Sequence, residues 1–277
     1  MMSGASGPRG TSEGNRTGEG SGTSEGSAAG GTTSRTSEVD GNAVAIRLGQ
    51  SLLMVVAAYL AAAAVLPWSE RLALAVGVAP ESPELAAIRN VGQFVGFALA
   101  AAAFMTSAND RGLVTAWLPD ARGWSLGSVT AVGMVLAQFA LLLVLGAVGV
   151  EVATNRALGP GRDAPIYFLY MIPVSILVVG PAEELVFRGV VQGELRKALP
   201  AAPAVSLAAF LFGSIHFIAG TGTVLEQSAY VLVVTLLALP LGYLYEYTGN
   251  LVVPALAHGL YNAALYAIQY GGATGML

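Results

Sequence analysis

Cysteine is absent from this 277-residue chain, and only 11% of its residues carry a charged side chain. Without cysteine there is no disulfide framework, no thiol nucleophile and no thiolate metal site. Lysine occurs once, at Lys197, and histidine twice, at His216 and His258. The net charge is −4 and the arginines are scattered, so no basic patch offers a footing to nucleic acid. No HExxH occurs, which removes the helical signature of the common zinc proteases. No internal repeat is visible, which counts against an inverted-repeat transporter.

What the chain does have is apolar surface. Hydrophobic residues make up 55% of it and the mean hydropathy is +0.65, values of a membrane protein. Residues 1–40 are a different material, rich in Gly, Ser, Thr and Glu. Such a segment buries too little surface to offset its ordering entropy, so a disordered tail is expected. It also lacks the apolar stretch of a signal peptide.

Seven segments approach the roughly 20 apolar residues that a spanning helix needs. They are Ala43–Leu66, Ile88–Thr106, Leu126–Val150, Ile166–Leu195, Ala204–Ala219, Ala229–Tyr247 and Leu251–Tyr270. An all-α transmembrane bundle follows, with three N-terminal helices over 41–165 and a catalytic core over 166–277. Trp68, Trp117 and Trp124 sit beside breaks between spans, where interfacial aromatics belong. Pro173 and Pro240 fall inside spans as expected kink points. Arg47, Arg111, Arg122, Arg196 and Lys197 slightly outnumber Arg71, Arg89, Arg156 and Arg162 on the other side. That balance places the N-terminus in the cytoplasm of a multi-pass cell-membrane protein.

The polar residues of the last four spans are few: Glu183, Glu184, Arg188, both histidines and Asn262. A charge at the centre of a spanning helix costs of order 2.5–3.5 kcal/mol, so each needs a reason. Taken singly, such a histidine is commonly a packing residue, and a Glu–Arg pair is commonly structural. Their joint placement points elsewhere. Leu199–Pro203 marks a tight turn, and Glu183 and His216 lie nearly equidistant from it along antiparallel helices, hence at equal depth. His258 enters from the same face. Glu184 and Arg188 stand at i, i+4 in the favourable order, which leaves Glu183 free to face another partner. His258 and Asn262 share a face by the same spacing, and so do Phe212 and His216. Gly180, Gly189, Gly193, Gly213 and Gly259 leave room for close helix approach.

A carboxylate, two imidazoles and a carboxamide around a wet cavity suit water activation. Glu183 would act as base, His216 would orient the water, and His258 with Asn262 would donate to an oxyanion. A second version holds a zinc ion between Glu183, His216 and His258. Ligating imidazoles normally need outer acceptors, and few were visible beyond Asn262, Glu184 and backbone carbonyls, so metal-free activation is preferred.

"EELVFRG", "FGSIH" and "HGLYN" match, in order, the EExxxR, FxxxH and HxxxN motifs of the CPBP intramembrane protease family. That family includes the type II CAAX prenyl endopeptidases and bacteriocin-immunity relatives, and the resemblance covers roughly Ile166 to Tyr270. It implies a helical membrane protein with a conical cavity open to cytosol and bilayer. It implies Glu183 as base assisted by His216, His258 and Asn262 as oxyanion donors, and Glu184 and Arg188 as supports. The implied partners are the bilayer and a membrane-anchored substrate, possibly C-terminally prenylated. The rival expectations are an ion-coupled transporter and a non-catalytic scaffold or immunity protein on the same fold.

Overall fold

The computed structural model describes residues 40–107 and 114–277. The tail expected over residues 1–40 lies, Asp40 apart, outside them, as does Arg111. Seven long helices carry the fold: α1 (Gly41–Ala75), α2 (Pro83–Ser107), α3 (Ala121–Ala147), α4 (Ile166–Arg196), α5 (Ala201–Ile215), α6 (Val224–Thr248) and α7 (Val252–Thr274).

Each segment read as a span is helical, but only α1, α2, α3, α4 and α6 are long and apolar enough to cross a membrane. Five of the seven expected spans meet that measure among the described residues. Helix α5 has 15 residues, about 22 Å at 1.5 Å per residue, short of a ~30 Å hydrocarbon core. Helix α7 is long enough, but His258, Asn262, Gln269 and several tyrosines dilute its apolarity. The chain is a multi-pass membrane protein. Leu53, Leu60, Val129, Leu136 and Leu143 point outward, as lipid-facing side chains do, and Trp68, Trp117 and Trp124 are exposed near helix ends.

Local chemistry sets the helix ends. Asp40 and Asp120 cap α1 and α3 by accepting from Asn42 and Gly123 backbone N–H groups at 2.9 and 2.8 Å. Thr223 and Glu226 form a capping box on α6. Gly249 ends α6 with φ +58, a left-handed conformation that suits glycine.

Helix α4 is the centre of the bundle and packs against α1, α2, α5 and α7. It is not a uniform α-helix. Ser175–Val179 and Leu185–Gln192 are π-helical and flank an α-helical Gly180–Glu184. Pro181 lacks an N–H and its ring crowds the carbonyl four residues back, and the wider π turn before it relieves both. Pro240, by contrast, sits inside unbroken α-helix, and Pro173 lies two residues before the first π stretch. Two short strands, β1 (Thr154–Asn155) and β2 (Gly220–Thr221), pair antiparallel and tie the α3–α4 connection to the loop after α5.

Candidate active site

Two glycines let the site form. A Cβ on Gly180 would lie 2.7 Å from the Ala255 carbonyl oxygen and 2.9 Å from the Gly259 nitrogen. One on Gly259 would lie 2.7 Å from the Ile176 Cα. Helices α4 and α7 therefore touch backbone to backbone, which no larger residue permits. One turn beyond Gly180 on α4, and next to Gly259 on α7, Glu184 meets His258.

The Nδ1 of His258 lies 2.7 Å from Oε1 of Glu184, and Arg188 Nη1 donates to the same oxygen at 3.0 Å. Arg188 Nη2 donates to the Ala238 carbonyl at 2.9 Å, and its guanidinium lies 5.1 Å from the Phe212 ring centre. All three partners are buried. The expected Glu184–Arg188 pair is thus present, with His258 as a third member. On its other side, His258 Nε2 faces Glu183 Oε2 at 3.5 Å. One imidazole stands between the two neighbouring carboxylates, which leave the helix in different directions as the expected 100° step requires.

His216 closes α5 and is half-buried. Its Nδ1 lies 2.8 Å from the Phe212 carbonyl. A carbonyl only accepts, so Nδ1 carries the proton, and the neutral ring presents a lone pair at Nε2. Phe212, expected on the His216 face, walls both imidazoles, with ring centres 4.7 Å from His216 and 5.8 Å from His258. An edge contact with Phe187 at 4.9 Å fixes it in turn.

Glu183, His216, His258 and Asn262 all line one cavity of about 390 Å³. Glu184 and Arg188 lie behind it. A second cavity, about 400 Å³, shares Glu183 and His216 with the first. Two further residues belong to this neighbourhood and were missed in the sequence. Tyr230 packs edge-on to His216 at 6.0 Å and accepts a hydrogen bond from Asn155 at 2.8 Å. Neither lies in a recognisable motif, and the β1–β2 pairing that brings Asn155 to the site involves only two residues per strand.

The outer acceptors whose scarcity argued against zinc are present: Phe212 O serves His216, and Glu184 serves His258. The donor types suit zinc, but among the described residues no group of three or more His, Asp or Glu side chains is gathered closely enough to hold a metal ion.

Residues 165–264 match the family described as type II CAAX prenyl endopeptidase Rce1-like. Over that stretch the chain is similar to that family. The matched region contains Glu183, Glu184, Arg188, His216, His258 and Asn262. A curated relative, the uncharacterized protein YpbD of Bacillus subtilis (strain 168), is 32% identical over 112 residues. That alignment covers 39% of this chain and 52% of YpbD, so the chain spans about half the length of the relative it matches. No solved structure matches significantly.

Proposed function

We propose that this membrane protein is an intramembrane endopeptidase that hydrolyses a peptide bond of a membrane-anchored substrate, with a C-terminally prenylated chain end as the candidate class. The observation that carries the reading is the position of Glu183. It lines both cavities, faces His258 Nε2 at 3.5 Å, and shares its surroundings with the Nε2 lone pair of His216.

In this reading a water molecule binds between Glu183 and His216. One of its hydrogens points to the His216 lone pair, and Glu183 takes the other proton as the oxygen attacks the peptide carbonyl. The C–O bond forms, and the carbonyl electrons move onto oxygen. Asn262 and the His258 Nε2–H, when that nitrogen is protonated, donate to this oxyanion. The C–N bond then breaks as Glu183 returns its proton to the leaving amine. Glu184 and Arg188 do not touch the substrate; they hold the His258 ring.

A zinc version keeps a separate support, since both imidazoles have Nδ1 held and Nε2 available. His216, His258 and Glu183 would hold the ion, which would supply Lewis acidity and a more acidic bound water. We favour the metal-free version because the three side chains are not gathered into a ligand set.

The test is a comparison of membrane-protein termini between cells carrying the wild-type chain and Glu183→Gln. A terminus present only with the wild type is expected. Identical termini, with the phenotype retained by Glu183→Gln, would support the scaffold reading instead.

A further inference from the structure

A serine inside a helix commonly bonds back to the carbonyl four residues earlier. Ser51, Ser125, Ser214 and Ser228 each do so, at 2.9, 2.9, 2.7 and 2.8 Å. Ser175 does not. It is fully buried, and its Oγ has no hydrogen-bond partner. A buried hydroxyl without a partner is rare in a folded protein and calls for a reason. Thr235 is the other such hydroxyl among the described residues, but it lies against Gly213 and lines neither cavity.

Ser175 does line the first cavity. Met171, Ser175, Val179 and Glu183 follow one another at four-residue intervals along α4, and all four border it. The neighbouring wall is α7. A Cβ on Gly259 would lie 3.0 Å from the Ser175 carbonyl oxygen, so the two helices are in contact at Ser175. Asn262, three residues beyond Gly259, borders the same cavity from α7. Other polar side chains of this cavity are already paired: Asn90 with the Ala86 carbonyl at 2.9 Å, Asn155 with Tyr230, and Tyr261 with Gln138. The Ser175 hydroxyl keeps its donor free.

We propose that the Ser175 hydroxyl positions the substrate by donating to a backbone carbonyl of the bound peptide. This rests on the endopeptidase reading and adds a second point of attachment to it. Glu183 lies eight residues further along the same helix, about 12 Å at ~1.5 Å per residue. An extended peptide covers that span in about three to four residues at ~3.3 Å each. The carbonyl held by Ser175 is therefore about three to four residues from the scissile bond. One χ1 rotation swings a serine hydroxyl between staggered positions, so the contact needs no movement of the backbone. In a pocket with largely apolar walls, a few placed polar groups fix orientation. A donor that reads the backbone sets the register of the peptide without selecting its side chains.

The probe is the peptide acetyl-Ala-Val-Leu-Cys-Val-Leu-Val-Ala-amide with its cysteine S-farnesylated, so that the lipid holds one register. Each backbone amide is replaced in turn by a thioamide, a weaker acceptor. Titrations use the full chain in detergent carrying Glu183→Gln, so that no peptide is consumed. One thioamide position should bind about three- to tenfold more weakly than the parent. Adding Ser175→Ala should weaken the parent by a similar factor and make that thioamide indistinguishable from it, the signature of a direct coupling. The melting temperature with Ser175→Ala should equal or exceed that without it, because no hydrogen bond within the protein is lost. A thioamide effect that survives in Ser175→Ala would overturn the proposal. So would its absence at every position, or a lowered melting temperature with unchanged binding. Hydrolysis by the chain with Glu183 in place separates this from the larger reading. Cleavage of the parent without the coupling removes the Ser175 contact and keeps the endopeptidase. Coupling without cleavage keeps Ser175 as a peptide-binding group and removes the endopeptidase.

Discussion

One carboxylate oxygen, Oε1 of Glu184, lies 2.7 Å from His258 Nδ1 and 3.0 Å from Arg188 Nη1. The ion pair inside α4 and the imidazole of α7 are therefore a single unit. Arg188 compensates the buried charge of Glu184, and Glu184 fixes the ring that faces Glu183. The two glutamates, adjacent in sequence, have separate work: one holds a histidine and the other meets the cavity.

Glu183→Gln should fold as well as the wild type and lose cleavage, because it removes the base and leaves the buried Glu184–Arg188 pair intact. Arg188→Ala should lower the yield of monodisperse protein, since an unpaired buried carboxylate costs about 3–5 kcal/mol. Glu184→Gln should lower yield and also slow any remaining turnover by about 10–100-fold, because His258 loses its charged acceptor. Size-exclusion profiles and peptide hydrolysis for the three variants check this. Wild-type turnover by Glu183→Gln would end the assignment of the base.

Gly259→Ala should separate α4 from α7, because the new methyl meets backbone at Ile176 rather than a side chain that can turn aside. A loss of about 1–3 kcal/mol is expected from overpacking, together with reduced activity. Gly133→Ala on α3, where nothing lies within 4 Å, is the control and should be neutral. Thermal melts in detergent measure both, and equal melting of the two variants would show that the close crossing is dispensable.

Exhaustive chelation should leave hydrolysis intact, and elemental analysis of active protein should find well under one zinc per chain. If activity disappears on chelation and returns with stoichiometric zinc, Glu183, His216 and His258 become its ligands and the metal-free mechanism is discarded.

Helix α1 starts at one membrane face and α2 begins at the other, so Arg89, in the second turn of α2, places the second cavity toward the face opposite Asp40. With the N-terminus in the cytoplasm, that face is external. The chain has no native cysteine to interfere with single-site labelling. Ser82→Cys, in the α1–α2 turn, should react with an impermeant maleimide on intact cells, and Ser125→Cys only after permeabilisation. The reverse pattern would turn the cavity to the cytosol, as the family resemblance implies, and put the N-terminus outside.

The sequence by itself determined the membrane class, the seven helices and the short list of polar residues inside the last four of them. Apolar runs of helical length have one stable form in a bilayer, and charges placed in them stand out against that background. The Glu184–Arg188 pair was legible because i, i+4 spacing is a property of one helix. The shortness of α5 and the π turns of α4 were not, since the first depends on where the loop after His216 is tied and the second on how Pro181 is accommodated. Only the tertiary structure decided which nitrogen of each histidine faces the cavity, because Nδ1 of His216 is fixed by a carbonyl and Nδ1 of His258 by a side chain from another helix. It also brought Asn155, Arg156 and Tyr230 to the site through a ribbon of two residue pairs. Contacts between elements remote in the chain have no local period, so no spacing in the sequence announces them.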